Sequence, residues 1–365
     1  MPTLTELISS LEKLAPPALQ ESYDNSGLLL GNAKSKVTGA LICIDVTEEI
    51  IDEAARRKCN LVISHHPLIF SSLKRITGKN YVERCIVKAI EKGIAVYAIH
   101  TNLDNVLHGV NQKLAVKLGL TETKILRPLP GRLKKLVTFC PLKSSEKVRQ
   151  ALFDAGAGRI GNYDECSFNT EGTGTFRGLE NTNPYVGKKG VQHREQEERI
   201  ETIFELHLQS RLIAALLSAH PYEEVAYDIY PLDNLHPNIG AGLIGNLKKP
   251  MGEIAFLKMV KRTMKAGSLR YTELLGKNVN RVAVCGGSGS FLLEDAVKNS
   301  ADVFVTADFK YHQFFNAEGK IVIADIGHYE SEQFTTEIIK DFLNRNFSTF
   351  AVRLAETRTN PVRYL

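Results

Sequence analysis

Short apolar runs alternate with amphipathic stretches along the first third of the chain. Apolar runs at 40–46, 61–66 and 94–100 are separated by segments at 48–57 and 81–91 whose apolar residues recur at helical spacing. An order of strand, helix and strand is typical of βαβ units, whose strands run parallel. This part of the chain is therefore predicted to form a mostly parallel sheet covered by helices.

The same alternation returns in the last third of the chain. Apolar strands are predicted at 281–287, 301–308 and 321–328, with a helix at 291–299 and a final helix at 331–346. Because both stretches follow one pattern, they are predicted to be two α/β halves of a single domain.

The middle of the chain has a different pattern of predicted strands and helices. Strands are predicted at 133–141, 199–208 and 225–232, with helices at 146–155 and up to Ala219. Two β-α-β passes of this size predict an inserted ferredoxin-like α+β domain. The predicted boundaries are 1–124 and 238–365 for the α/β domain and 125–237 for the insertion.

Two glycine-rich segments are predicted to be connections. The polar segment 169–198 is expected to be a long surface loop or hairpin, with 171–175 as a hairpin turn. The segment 238–249 is expected to be the return path into the main domain. Both predictions rest on the tendency of clustered glycines to interrupt regular structure.

Composition narrows the class of protein. At 365 residues the chain exceeds the size at which one core usually keeps growing, so more than one domain is expected. Its 46 basic and 41 acidic residues are spread along the chain, which is a weak argument for binding nucleic acid or membranes. No apolar run approaches the roughly 20 residues that span a bilayer, and the start predicts an amphipathic helix rather than a signal peptide. The six cysteines never stand at two-residue spacing, which favours a reducing cytoplasm over a zinc ribbon or a disulfide scaffold.

The residues that could carry chemistry follow the predicted strands. His65 and His66 come after one strand, Asp104 after the next, and His328 after a strand of the second half, with Glu332 four residues on. In open parallel sheets, ligands bind where the carboxyl ends of strands meet. Imidazole and carboxylate groups together suit zinc, iron, manganese, cobalt or nickel. The sequence therefore predicts a divalent metal site.

The spacing of these residues allows two ions to be held. Adjacent histidines at the transition from strand to loop can turn toward one crevice and bind different metals. Glu332 shares a helix face with His328, from which its carboxylate can bridge two ions. An isolated histidine is more often a surface or core residue, but unpaired carboxylates gathered in one crevice would be costly to bury without cations.

Five motifs give the sequence a resemblance to the Nif-three-like family, the GTP cyclohydrolase 1 type 2 homologues. They cover both halves of the predicted α/β domain: Tyr23-Asp24-Asn25-Ser26-Gly27-Leu28, Ser64-His65-His66-Pro67, His100-Thr101-Asn102-Leu103-Asp104, Thr306-Ala307-Asp308-Phe309-Lys310-Tyr311-His312, and Gly327-His328 with Glu332. The chain departs from the family where Tyr23 replaces a frequent Trp and Ala307 a frequent Gly. Neither departure touches the five predicted ligands.

The resemblance implies a dinuclear metal centre made by the same five residues, with zinc as the first candidate. It also implies a homohexameric toroid and a PII-like or CutA-like insertion carrying the motif at 219–224. The activity implied is metal-dependent hydrolysis of a nucleotide or related small molecule, with opening of the guanine ring of GTP as the named reaction.

Six further residues lie in or beside these motifs: Asp24, Asn25, Asp45, His100, Asp308 and His312. The first five are expected either to hydrogen-bond the ligating imidazoles or to cap loops. His312 is expected either to contact an anionic substrate or to lie on a solvated helix face.

The remaining motifs are less specific. The glycine-rich run 285–290 follows a strand and opens a helix, so it either holds a phosphate or forms a tight turn. The triplet 220–222 is expected to pack within the insertion. No nucleophile elbow or zincin helix is present.

Two functions remain in competition. Five protein ligands shared by two ions leave coordination positions open, which favours a hydrolase. The alternative is a non-catalytic regulatory or scaffold protein whose PII-like insertion senses a small molecule. A scaffold on DNA finds little support, since phosphate binders cluster their Lys and Arg residues.

Overall fold

The computed structural model describes residues 1–365, which form two compact units. Unit 1 comprises Met1–Pro128 and Pro237–Leu365, and unit 2 comprises Leu129–His236. Both units are of mixed α/β type, and they contain three sheets in all. None of the helices combines the length and the hydropathy needed to cross a lipid bilayer.

The first sheet of unit 1 has five strands in the order β1-β4-β3-β2-β15. Its strands are β1 (Gly27–Leu30), β2 (Ala40–Cys43), β3 (Leu61–Ser64), β4 (Ala95–Ala98) and β15 (Val352–Leu354). All neighbours are parallel except the pair of β1 and β4. The three central strands are buried throughout, as expected for a parallel sheet with both faces covered.

The second sheet of unit 1 has six strands in the order β11-β14-β13-β12-β10-β5. Its strands are β5 (Leu120–Pro128), β10 (Gly240–Gly252), β11 (Arg270–Tyr271), β12 (Asn278–Ser288), β13 (Val303–Ala307) and β14 (Val322–Asp325). Only β12, β13 and β14 run parallel, so this sheet is mixed.

Nine α-helices belong to unit 1, and several begin at a side chain that accepts a backbone N–H. They are α1 (Leu4–Leu14), α2 (Glu48–Arg56), α3 (Tyr81–Glu91), α4 (Thr101–Asp104), α5 (Val110–Lys117), α8 (Glu253–Thr263), α9 (Leu293–Lys298), α10 (His328–Glu332) and α11 (Thr335–Asn346). Thr3 and Glu6 form a capping box on α1, while Thr47 and Asn80 cap α2 and α3. These three capped helices pack on the first sheet, and α5, α8 and α9 pack on the second.

The glycine-rich segment 238–249, predicted to be the return path into the main domain, enters unit 1 as a strand. It forms most of β10, which pairs with β5 on one side and β12 on the other. A Cβ on Gly240 would lie 2.3 Å from the carbonyl oxygen of Arg127 on β5. The glycine there allows two backbones to approach closely, which is a role that a turn prediction overlooks.

Unit 2 contains one antiparallel sheet and two helices. Its elements follow the order β6 (Leu133–Pro141), α6 (Ser145–Asp154), β7 (Phe168–Arg177), β8 (Gln192–Glu205), α7 (Gln209–Ala219) and β9 (Tyr227–Pro231). The strand order is β7-β8-β6-β9, and every neighbouring pair is antiparallel. Apolar residues of both helices and the central strands share one core.

The segment 169–198 is a hairpin, in line with one of the two forms predicted for it. The prediction of a turn at 171–175 is wrong, because these residues lie inside β7 and pair with β8. The connection between the strands runs instead over 178–191. The β8 strand also begins at Gln192, earlier than predicted.

Candidate metal centre

His65 and His66 leave β3 with their rings directed into one crevice of unit 1. His65 is fully buried, and its Nδ1 lies 2.9 Å from the carbonyl oxygen of Ile99. His66 Nδ1 lies 2.7 Å from Asp45 Oδ1. With each Nδ1 engaged by an acceptor, both Nε2 atoms are left to face the crevice.

His328 and Glu332 reach the same crevice from α10, which begins just after β14. His328 Nδ1 lies 2.6 Å from Asp308 Oδ2, and its Nε2 lies 3.2 Å from Nε2 of His66. Glu332 Oε2 lies 2.9 Å from His66 Nε2 and 3.1 Å from His328 Nε2. The other oxygen of Glu332 faces His65 Nε2 at 3.7 Å.

Asp104 completes the five at the end of α4. Its Oδ1 lies 3.7 Å from His65 Nε2. The structure thus brings the five predicted ligands together, although they come from separate segments of the chain.

Three overlapping groups of side chains have ligand atoms within 4.8 Å of one another and could hold a metal ion. The groups are His65 with His66 and His100, His66 with His328 and Glu332, and His65 with Asp104 and Glu332. His65, His66 and Glu332 each belong to two groups. This sharing is what a site for more than one ion requires.

Two buried polar atoms bear on whether a metal ion fits this crevice. His65 Nε2 and Asp104 Oδ1 are buried and have no hydrogen-bond partner. Buried polar atoms without a partner are rare, because each costs the free energy of its lost hydration. A cation bound between the two would satisfy both atoms, so the side chains present fit a divalent metal.

The carboxylates of the cluster raise the pKa of two of its imidazoles. Burial lowers the pKa of His66, but hydrogen bonds to Asp45 and Glu332 outweigh it and raise the value to about 9. Burial is likewise outweighed at His328, where Glu332 and Asp308 raise the pKa to about 11. These two imidazoles are therefore protonated on both ring nitrogens at neutral pH when no metal is bound.

The two carboxyl groups of the cluster differ. Burial raises the pKa of Asp104 to about 7, and the charge of Glu332 adds to this effect. Burial also acts to raise the pKa of Glu332, but His328 and His65 hold it well below its usual range. Glu332 is therefore the fixed negative charge at the centre of the cluster.

His100 and Asp24 form a second pair beside the ligands. His100 Nδ1 lies 2.8 Å from Asp24 Oδ1, and the His100 ring centroid lies 5.3 Å from those of His65 and His66. Burial opposes ionisation of Asp24, yet its bonds to His100 and Thr101 keep its pKa below the ordinary value. His100 therefore has two possible roles: it is a candidate ligand itself, and it is a neighbour of the other ligands.

Asn25 and His312 lie away from the cluster. Asn25 Nδ2 donates to the carbonyl oxygen of Ile69 at 2.6 Å and contacts no imidazole. The His312 ring stacks on Phe315, with centroids 6.4 Å apart. Neither residue lines the two cavities that flank the cluster.

Sequence reasoning missed two features of the site. Gly287 has a φ of +63°, and a Cβ there would lie 2.3 Å from Glu332 Oε1, so the glycine makes room for the carboxylate. The glycine-rich motif 285–290 can be read from the sequence, but the sequence does not show that Glu332 lies next to Gly287. Thr359 in the C-terminal tail donates from its hydroxyl to Asp45 Oδ2 at 2.7 Å, a contact for which the sequence offers no signal.

Two cavities open onto the cluster from different sides. One has a volume of about 510 Å³ and includes Tyr23, Phe70 and Phe291 in its wall. The other, of about 410 Å³, is bounded in part by Arg270 and Tyr364. His66 and His328 line both cavities, so a molecule in either would touch the cluster.

Comparison with known proteins identifies relatives that span the chain. A family model described as Duf34/NIF3 (NGG1p interacting factor 3) matches residues 2–361. A Bacillus subtilis protein named GTP cyclohydrolase 1 type 2 homolog is 37% identical over 370 residues, covering 99% of this chain and 98% of the relative. A protein of the same name from Halalkalibacterium halodurans is 40% identical over 325 residues, covering 88% of this chain and 87% of the relative.

Solved structures of similar proteins extend the comparison to the fold. A Bacillus cereus protein related to NIF3 has a TM-score of 0.86 and 39% identity, covering 100% of this chain and 99% of that one. A Staphylococcus aureus protein has a TM-score of 0.79 and 29% identity at the same coverage. The family resemblance drawn from the five motifs is thereby confirmed.

Proposed function

The chain belongs to the Duf34/NIF3 family, and on that premise we propose that it is a metal-dependent hydrolase of a nucleotide or related small molecule. The observation that carries the proposal is the pair of buried, unpartnered atoms, His65 Nε2 and Asp104 Oδ1, which share one ligand group with Glu332. A protein that only packed these side chains would pay for burying them without gaining a bound ion.

The proposed centre holds two divalent ions, with zinc as the first candidate. Its ligands would be His65, His66, Asp104, His328 and Glu332, and Glu332, which belongs to two of the three ligand groups, would serve both ions. When bound, two such ions polarise the group under attack and lower the pKa of a water molecule from about 16 towards about 7.

The surrounding residues position the ligands. Asp45 and Asp308 accept from Nδ1 of His66 and His328 and so direct each Nε2 at the ions. The carbonyl oxygen of Ile99 does the same for His65. Asp24 fixes His100, which is proposed either as an additional ligand or as a contact to substrate.

The relatives' name supports a purine nucleotide as substrate, and opening of the guanine ring of GTP is the reaction proposed first. The cavity of about 510 Å³ has a volume suited to a ligand of this size, and its aromatic side chains offer surfaces for a base. His312 is not proposed as a substrate contact, because it does not line either of the cavities beside the cluster.

The test is turnover of GTP by the metal-loaded protein and by a double variant, His65→Ala with His66→Ala. We expect product formation by the unchanged chain and its loss in the double variant, since both proposed ions lose a ligand. A His312→Ala variant, which removes an imidazole outside the cluster, is expected to keep full activity. Equal rates in the unchanged chain and the double variant would rule out metal-dependent hydrolysis of GTP.

The alternative is a regulatory or scaffold protein in which the metals are structural and unit 2 senses a small molecule. It is supported by a cavity of about 610 Å³ within unit 2.

We propose that unit 2 is an inserted ferredoxin-like domain of the PII or CutA type, on the basis of its β-α-β-β-α-β order and its strand order β7-β8-β6-β9. A homohexameric toroid is proposed from the family resemblance, and sedimentation of the purified chain tests it.

Metal coordination separates the two functions. A crystal structure of the metal-loaded protein shows how many ligands each ion has and which of them are protein atoms. Ions saturated by protein atoms favour the regulatory function, and ions that keep open positions favour hydrolysis.

A further inference from the structure

Unit 2 contains a cavity with aromatic walls that the proposed hydrolysis does not use. It has a volume of about 610 Å³ and lies against β7, between the connection after that strand and the segment before β9. Four aromatic side chains line it: Phe139, Phe176, Tyr185 and Tyr222. The Tyr222 ring lies 5.9 Å from that of Phe176 and 6.2 Å from that of Tyr185, measured between centroids.

A carboxylate is buried in the wall of this cavity. Glu197 on β8 is only 8% exposed, and its Oε1 accepts a hydrogen bond of 2.7 Å from the Tyr222 hydroxyl. Its Oε2 lies 2.0 Å from the position that a Cβ on Gly174 would occupy. The glycine in β7 and the tyrosine after α7 therefore hold the carboxylate in place. Buried carboxylates are costly unless they are paired, so this one is a candidate for binding a cation.

The charges around the cavity favour a positive ligand. Its ionisable lining residues are Glu171, Arg177, Glu197, Arg199, Glu223 and Glu224, four acids and two bases. Arg199 is paired with Glu201, which does not line the cavity, with its Nη2 atom 2.7 Å from Oε1. Arg177 remains as the one basic side chain set against the four carboxylates.

We propose that this cavity binds a small organic cation with a guanidinium head. The planar head would donate hydrogen bonds to the Glu197 carboxylate, as guanidinium groups do to carboxylates, while an aromatic ring of the cavity wall contacts one of its faces. A quaternary ammonium ion lacks the N–H groups that such a carboxylate binds, and an anion would be repelled by it. The inference rests on unit 2 alone and does not depend on the proposed hydrolysis.

Two probes of the same shape test the role of charge. Butylguanidine and its neutral analogue butylurea are titrated into the full chain and their binding is measured by calorimetry. We expect butylguanidine to bind and butylurea to bind more weakly by roughly tenfold or more, because hydrogen bonds to a charged partner are the stronger ones. This comparison uses the unchanged chain, so it stands even where a variant fails to fold.

Variants locate the binding. Glu197→Gln is expected to weaken butylguanidine binding by roughly tenfold or more, and Tyr222→Phe by less, because it removes only the hydroxyl that holds the carboxylate. Glu195→Gln is the matched control: it removes the same charge two residues earlier in β8, where Glu195 pairs with His193 and does not line the cavity.

Three results with butylguanidine would overturn the proposal. They are equal binding of butylguanidine and butylurea, an unchanged affinity in a folded Glu197→Gln variant, and an absence of butylguanidine binding up to about 10 mM, beyond the weakest affinity a specific pocket of this kind should show. Tetramethylammonium that binds as well as butylguanidine would also overturn it, because that ion cannot donate to the carboxylate.

Discussion

At the scale of single residues, Glu332 is the most shared of the candidate acidic ligands. It belongs to two of the three ligand groups, whereas Asp104 belongs to one. We therefore expect Glu332→Gln to remove most of the bound metal and Asp104→Asn to remove about half, if two ions are bound. Elemental analysis of protein purified without chelator measures both. His312→Gln should keep its metal, and a fully loaded Glu332→Gln protein would contradict the shared role.

Thr359 offers a more remote test of the same site. Its hydroxyl holds Asp45, which in turn holds His66, so Thr359→Val should weaken metal binding without removing a ligand. The expected loss is about tenfold in affinity, the lower end for outer contacts of metal ligands. Competition with a chelator measures it. Thr357→Val is the control, since Thr357 contacts Glu53 and not the cluster; equal losses in the two variants would point to general loosening of the tail.

The raised pKa values of His66 and His328 predict how metal binding depends on pH. Both imidazoles hold protons at pH 7 in the metal-free protein, with pKa values of about 9 and about 11. A metal must displace those protons, so apparent affinity should rise as pH rises from 7 towards 9, and binding should release protons. Calorimetry in two buffers of different ionisation enthalpy counts the protons released. Affinity that falls over this pH range would contradict the assignment.

The sequence predicted which side chains converge in the crevice, and it predicted Asp45 and Asp308 as hydrogen-bond partners of the imidazoles, but it did not predict every support. The five residues follow predicted strands, and parallel strands bring their carboxyl ends together, so their convergence could be predicted. Thr359 could not be, because it reaches Asp45 from a tail 314 residues away in the chain. His100 was expected beside the ligands, and its inclusion in a ligand group depends on ring positions that a sequence does not specify.

At the scale of elements, glycines caused the errors of prediction. The glycines of 171–175 were assigned to a turn, and those of 238–249 to the return path into the main domain, yet both sets stand in strands. Gly174 makes room for the Glu197 carboxylate, and Gly240 for the backbone of β5. The partner that needs the space is distant in sequence, so local patterns cannot distinguish these glycines from those of a turn.

The glycine-rich end of β12 gives a test at this scale. Gly287→Ala and Gly276→Ala both place a Cβ at positive φ, +63° and +70°, and each should destabilise unit 1 by roughly 1 kcal/mol. Only Gly287 has a ligand in the way, since a Cβ on Gly276 meets nothing within 4 Å. We expect both variants to melt earlier and only Gly287→Ala to lose metal affinity. Equal metal affinity in the two would show that Glu332 does not need this space.

At the scale of the whole molecule, the pattern of apolar and polar residues differs between the outer thirds of the chain and its middle. Strands and helices alternate as βαβ units in the outer thirds and as a hairpin-containing sheet in the middle, and the compact units divide at Pro128 and Pro237. The sequence placed the first boundary inside β5, because that strand carries polar residues and lacks the apolar run of its neighbours. Its place in the six-stranded sheet comes from pairing with β10, over a hundred residues away.

The division into units predicts which part of the chain is protected from amide hydrogen exchange when metal binds. All three ligand groups lie in unit 1, so metal should slow amide hydrogen exchange there, at 61–66, 99–105, 285–288 and 325–332, and leave 129–236 unchanged. The reason is that a ligand stabilises the local openings that would break its site and no others. Exchange measured by mass spectrometry with and without metal tests this, and the double variant His65→Ala with His66→Ala should show no effect. Equal protection across both units would mean that the metal acts on the stability of the whole chain, and protection confined to 129–236 would place the metal site elsewhere.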